Sequence, residues 1–105
     1  METTIGESLP KLISECTDLI LKERDPEKVK ILREKQKQLS EKLQKLIDEN
    51  VSKDTEEYKA VVVGIQGALE SVKNAIKDLG KVADTIEMIA KVLSLITKVI
   101  DMIPK

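Results

Sequence analysis

The most constraining feature of this chain is an apolar repeat that runs through its C-terminal half without interruption. Apolar residues alternate there in steps of three and four positions, which averages about 3.5 residues and is close to the period of an α-helix. The repeat comprises Tyr58, Val61, Ile65, Ala68, Val72, Ala75, Leu79, Val82, Ile86, Ile89, Leu93, Ile96, Ile100 and Ile103. It predicts helix over nearly half the chain, with one long seam buried against other helices.

Composition predicts a single globular domain over residues 1–105, because 41% of the residues are hydrophobic and 35% are charged. Tyr58 is the only aromatic residue, and the sequence contains no Phe, Trp or His. A core without large aromatic side chains is built from Leu, Ile, Val, Ala and Met, which suits closely packed helices. The expected fold class is therefore all-α.

The first helix is predicted to begin at Leu9 or Pro10 and to end near Arg24. Proline lacks an N–H group and is best tolerated in the first helical turn. A competing start exists at Thr4, since Thr4 and Glu7 form a capping-box pattern. That start would place Pro10 inside the helix at a cost of about 3 kcal/mol, so the later start is preferred.

The second helix is predicted from Pro26 to about Asn50, with Asp25 as its N-cap. Its seam consists of Val29, Leu32, Gln36, Leu39, Leu43 and Leu46. Nearly all its other residues are polar or charged, so only a narrow stripe is buried. This helix is expected to be the most exposed one.

The third helix is predicted from about Thr55 to Leu79, preceded by Asp54 as N-cap with Glu57 in the first turn. Gly80 is interpreted as its C-terminal cap, because glycine adopts the left-handed conformation without a steric penalty.

A fourth helix, capped by Asp84 and Glu87, then runs to Ile103. The seam continues through Gly80, however, which leaves open a single helix of nearly fifty residues.

The spacing of the breaks decides between these two architectures. If the chain reverses near Ser52, the breaks at Asp25 and Leu79 are equally distant from that turn and stand opposite each other. We therefore predict an antiparallel up-down-up-down four-helix bundle, with a long bent helical hairpin as the alternative. The bundle is preferred because it buries more of the C-terminal segment.

The residue types argue against an enzyme. Without histidine the chain lacks the usual general base at neutral pH, the commonest metal ligand and any Ser-His or Cys-His pair. Cys16 lies on the apolar face of the first helix and is interpreted as a packing residue. The carboxylates do not form a metal-binding pattern, so we expect no catalytic residues, no metal site and no cofactor.

Small residues interrupt the third helix at Ala60, Gly64, Gly67 and Ala68. Each glycine inside a helix costs about 1 kcal/mol relative to alanine, so a structural gain should offset it. We interpret these four residues as a site of close helix packing. A kink or a hinge is the alternative.

Basic residues are concentrated in residues 27–45, which contain seven Lys or Arg and three acidic residues. The basic side chains are scattered around the predicted helix, and no aromatic residue is available to stack on bases. We interpret this segment as a solvated helix face and expect no nucleic-acid partner.

Residues 86–103 carry a second apolar stripe beside the seam: Met88, Val92, Leu95, Val99 and Met102. A helix that is apolar over most of its circumference needs neighbours on most sides. The stripe is therefore predicted to bind a partner, unless the fourth helix is simply the central helix of the core.

The sequence leads to two functional hypotheses. The first is a non-enzymatic protein–protein interaction or structural module that binds itself or a partner helix through the apolar C-terminal helix. The alternative is a helical bundle that binds a membrane surface or a lipid. Neither a signal peptide nor a transmembrane segment is visible, so a cytoplasmic location is expected.

Overall fold

The computed structural model describes residues 4–49 and 55–103, and it folds these two segments into four helices. The helices are α1 (Ile5–Lys22), α2 (Pro26–Glu49), α3 (Glu56–Lys77) and α4 (Val82–Asp101), with a short 3₁₀ turn over Leu79–Lys81. No strand occurs in the described segments. The predicted all-α four-helix bundle is confirmed, and the long hairpin is excluded because α1 and α2 each pack along a helix of the C-terminal half.

The four helices alternate in direction along the chain but are not arranged in chain order around the bundle. α1 packs on α2 and α3, whereas α4 packs on α3 and α2, so α2 and α3 lie diagonally opposite. The Ile5 N–H donates a hydrogen bond of 3.0 Å to the Tyr58 hydroxyl, which brings the first turns of α1 and α3 together. These two neighbouring helices therefore run parallel.

The core follows the predicted seam. Ten of the seam residues are buried: Tyr58, Val61, Ile65, Ala68, Val72, Ala75, Val82, Ile89, Leu93 and Ile96. Leu79, Ile86 and Ile100 are partly buried against the same cluster. Burying one Leu, Ile or Val side chain contributes roughly 1.5–3 kcal/mol, so this row is the main source of stability in the C-terminal half.

The start predicted for α1 is wrong, and the competing start is correct. Thr4 is the N-cap, and its side-chain oxygen accepts a 3.2 Å hydrogen bond from the Glu7 N–H. Pro10 consequently lies inside the helix. The early start is favoured because it buries Ile5 in the core and gives the Ile5 N–H a partner on α3. These contacts offset the intrahelical hydrogen bond that proline cannot donate.

α2 begins and ends close to the predicted positions. The Asp25 carboxylate accepts a 3.0 Å hydrogen bond from the Glu27 N–H, as expected of an N-cap. Among the side chains described for α2, only Leu32, Leu39 and Leu46 are buried. The other three helices each bury at least six residues, so the prediction that α2 is the most exposed helix is confirmed.

The predicted N-cap of α3 is off by one residue. Thr55 caps the helix by accepting a 3.1 Å hydrogen bond from the Tyr58 N–H. Asp54, the predicted cap, lies outside the described residues. α3 then begins at Glu56.

The chain does break near Gly80, but by a different mechanism from the one predicted. α3 ends at Lys77, and Asp78 is its C-cap in an extended conformation, with φ of −143°. The Asp78 carboxylate accepts a 3.0 Å hydrogen bond from the Gly80 N–H. The Gly80 backbone is not in the left-handed conformation. A Cβ atom at this position would lie only 3.2 Å from the Asp78 Oδ1 atom, so the tight turn leaves little room for a side chain. Because this turn leads directly into helix, α4 begins at Val82 rather than at Asp84.

We predict that Tyr58→Phe lowers the free energy of unfolding by about 1–3 kcal/mol, because the buried Ile5 N–H then loses its acceptor. The substitution keeps the ring and therefore its packing in the core. Urea unfolding followed by circular dichroism measures the effect. Unchanged stability would contradict the importance of this hydrogen bond for holding α1 on α3.

Candidate interaction face of α3 and α4

The second apolar stripe of α4 and the small residues of α3 meet at the interface between the two helices. A Cβ atom built on Gly64 would lie 3.1 Å from Leu95 Cδ1 and 3.6 Å from Val92 Cγ2. A Cβ atom built on Gly67 would lie 3.1 Å from the Met88 methyl carbon. The second apolar stripe of α4 therefore covers the side of α3 that carries the glycines.

This packing accounts for most of the second apolar stripe. Val92 and Val99 are each 1% exposed and belong to the core. The expectation that they would be free to bind a partner is therefore wrong for the folded bundle, because the bundle itself already buries them. Met88 and Leu95 are partly buried, and Met102 is 50% exposed.

The four small residues of α3 divide into two groups. Ala68 is fully buried and belongs to the seam. Ala60, Gly64 and Gly67 are only partly buried, so they lie between the core and the outer surface. Leu95 and Met88 lie against Gly64 and Gly67, and the outer surface between the two helices is a shallow groove.

Two depressions lie along this groove. One, with a volume of about 240 Å³, is lined by Glu56, Glu57, Ala60, Leu95 and Lys98. The other, of about 420 Å³, is lined by Gly67, Glu70, Ser71, Asn74, Lys81, Asp84 and Met88. The first places an apolar floor beside charges of both signs, whereas the second is lined mainly by polar residues.

Val63 is a component of this surface that the sequence interpretation missed. Its side chain is 70% exposed, unusually high for a valine inside a helix. It is spaced three residues from Ala60 and four from Gly67, so it lies on the same side of α3 as these two residues, but it lines neither depression. The sequence could have identified Val63 as an exposed residue, because position 63 does not belong to the apolar repeat.

We refer to the outer surface of these two helices as the α3/α4 face. It comprises Glu56, Ala60, Val63, Gly64, Gly67 and Glu70 on α3, and Asp84, Met88, Lys91, Leu95, Lys98 and Met102 on α4.

A buried polar contact fixes the register of α3 against α4. The hydroxyl oxygens of Ser71 and Thr85 lie 2.8 Å apart, and Thr85 is fully buried. The Thr85 hydroxyl oxygen also lies 3.1 Å from the Ser71 carbonyl oxygen and 3.2 Å from that of Lys81. Because sliding one helix along the other would leave these buried groups without partners, the contact holds the groove in one geometry.

The chemistry available elsewhere in the bundle is limited. Cys16 is fully buried, and burial raises the pKa of its thiol to about 12, with a smaller contribution from the charge of Glu15. A thiol with this pKa stays protonated at neutral pH and is a poor nucleophile. Among the side chains that the structure describes, no group of three or more Cys, Asp or Glu is placed to hold a metal ion.

Comparison with protein-family models, with curated proteins and with solved structures finds no match to this chain. Among the helices of the described segments, none combines the length and apolar character needed to cross a lipid bilayer. A functional assignment therefore depends on the geometry of the α3/α4 face.

We predict that Gly64→Leu lowers the free energy of unfolding by roughly 1–3 kcal/mol, because the new side chain would push against Leu95 and Val92. Gly6→Leu is the matched control. Gly6 is an exposed helical glycine, and a Cβ there would meet only the Thr4 hydroxyl oxygen, at 3.9 Å. Urea unfolding of both variants tests the prediction, and equal effects would contradict close packing at Gly64.

Proposed function

We propose that the protein is a non-enzymatic helical interaction module that binds a helix, its own or that of a partner protein, on the α3/α4 face. One observation carries the proposal. Two depressions lie between α3 and α4, and the partly or largely exposed apolar side chains of Val63, Leu95 and Met102 belong to the same two helices.

The shape of the groove suits a helix as ligand. The distance between packed helices depends on the side chains at the contact, and small residues allow the shortest distances. Leu95 and Met88 already lie against Gly64 and Gly67, but Ala60 and Gly67 each line a depression that side chains of another helix could enter. Met88 and Leu95 would supply the apolar contact on the α4 side.

The charges around the groove also suit a protein partner. Glu56, Glu57 and Lys98 surround one end, and Glu70, Asp84 and Lys81 surround the other. Apolar contacts at the centre of a patch with polar groups around them are the usual composition of a protein–protein interface. Charges of both signs favour a specific orientation of the partner over general attraction to one sign of charge.

The other partner classes have less support. Among the described side chains, the large apolar ones exposed outside the α3/α4 face are Leu21 on α1 and Ile31 on α2, and they do not extend it into a broad lipid-binding surface. On α2, the exposed carboxylates of Glu27, Glu34 and Glu41 interrupt the basic residues. We therefore favour a protein partner over a lipid surface or a nucleic acid.

Selection of helical peptides from a displayed library on the purified chain tests this function. We expect the selected peptides to bind the wild type and to bind Val63→Glu at least about tenfold more weakly, because a charge then occupies the apolar part of the face. Leu21→Glu is the matched control, since Leu21 is 79% exposed and lies on α1. Its affinity should equal that of the wild type.

Two results would contradict the proposed function. One is binding that is equally strong for the wild type and for Val63→Glu, because the ligand would then use another surface. The other is the absence of both peptide binding and self-association in the folded wild-type chain.

A further inference from the structure

We propose that the helix bound by the α3/α4 face belongs to a second copy of this chain, placed face to face by a two-fold axis perpendicular to α3 and α4. This inference rests on the proposed function and names the partner. In this arrangement α3 crosses over α3 of the other copy in the opposite direction, and α4 does the same over α4.

The contacts within one copy determine which residues share a level along the bundle. Gly64 lies against Leu95, and Gly67 lies against Met88. One turn further on, Ser71 meets Thr85. Because α3 and α4 are antiparallel, these contacts put Ile65 of α3 at the level of Lys91 of α4.

A two-fold axis at this level produces a steric match on α3. Residues equally distant from Ile65 then face each other, so Val63 of one copy faces Gly67 of the other. Val63 is 70% exposed, and Gly67, with Met88 lying against it, lines the depression of about 420 Å³. By symmetry the contact occurs twice, with a protruding side chain over a depression each time.

The same axis produces an electrostatic match on α4. Asp84 lies seven residues before Lys91, and Lys98 lies seven residues after it. Asp84 of one copy therefore faces Lys98 of the other, and this opposite-charge contact also occurs twice. Asp84 and Lys98 are exposed and line opposite ends of the groove. The steric and electrostatic matches come from different helices, yet both require the same axis.

The size and centre of the face make the dimer weak. Two helices of this length cover about 30 Å by 20 Å, or roughly 600 Å² per copy. Stable interfaces bury about 800 Å² per partner. The two Lys91 side chains also meet near the axis, where their like charges oppose association. The dimer should therefore form only at high protein concentration and should become stronger when Lys91 is neutralised.

Sedimentation equilibrium over about a hundredfold range of concentration, up to roughly 1 mM, measures the association. The wild type and Leu21→Glu should form the same dimer, whereas Val63→Glu should remain monomeric. Circular dichroism establishes that each variant is folded. A wild type that stays monomeric throughout this range, or a dimer unaffected by Val63→Glu, would overturn the inference.

Charge exchange tests the orientation of the two copies. Asp84→Lys should weaken the dimer about tenfold, because two positive charges would then face each other where Asp84 now faces Lys98. Adding Lys98→Asp should restore it, and Lys91→Gln alone should strengthen it. A double variant as weak as Asp84→Lys would overturn the two-fold arrangement. If a helical peptide binds the face of a monomeric chain, the proposed function stands and this inference fails.

Discussion

The close approach of α3 and α4 at Gly64 and Gly67 is the constraint on which the rest of the structure depends. The missing side chains let Leu95 and Met88 lie directly on the α3 backbone. Two interior glycines cost about 2 kcal/mol in helix propensity. Burial of Val92 and Val99 offsets that cost, because each valine contributes roughly 1.5 kcal/mol or more when it leaves water. The shallow groove of the α3/α4 face lies on the outer side of this close contact between the two helices.

Much of the fold could be predicted from local patterns. The seam indicated the helical character of the C-terminal half, and Asp25 with Pro26 marked the start of α2. Local patterns offered both starts of α1 but could not decide between them, because the hydrogen bond that favours Thr4 as N-cap joins Ile5 to Tyr58, 53 residues away. The order of the helices around the bundle could not be predicted either, because a heptad pattern shows which face of a helix is buried but not which helix covers it.

The candidate site was predicted only in part, for a related reason. The second stripe of α4 and the small residues of α3 were recognised separately, but no sequence pattern states that they face each other. Once they do, Val92 and Val99 become core residues, and only Met88, Leu95 and Met102 keep some exposure. Val63 was overlooked because a valine in a helix suggests burial, whereas its position in the repeat places it outside.

The close approach of α3 and α4 at Gly64 and Gly67 can be tested most directly by NMR. Nuclear Overhauser effects between the α-protons of Gly64 and a Leu95 methyl group, and between those of Gly67 and the Met88 methyl group, report it in solution. We expect strong effects for both pairs at concentrations where the chain is monomeric, because both contacts are intramolecular. Absence of both effects in the folded monomer would contradict the close packing and, with it, the groove.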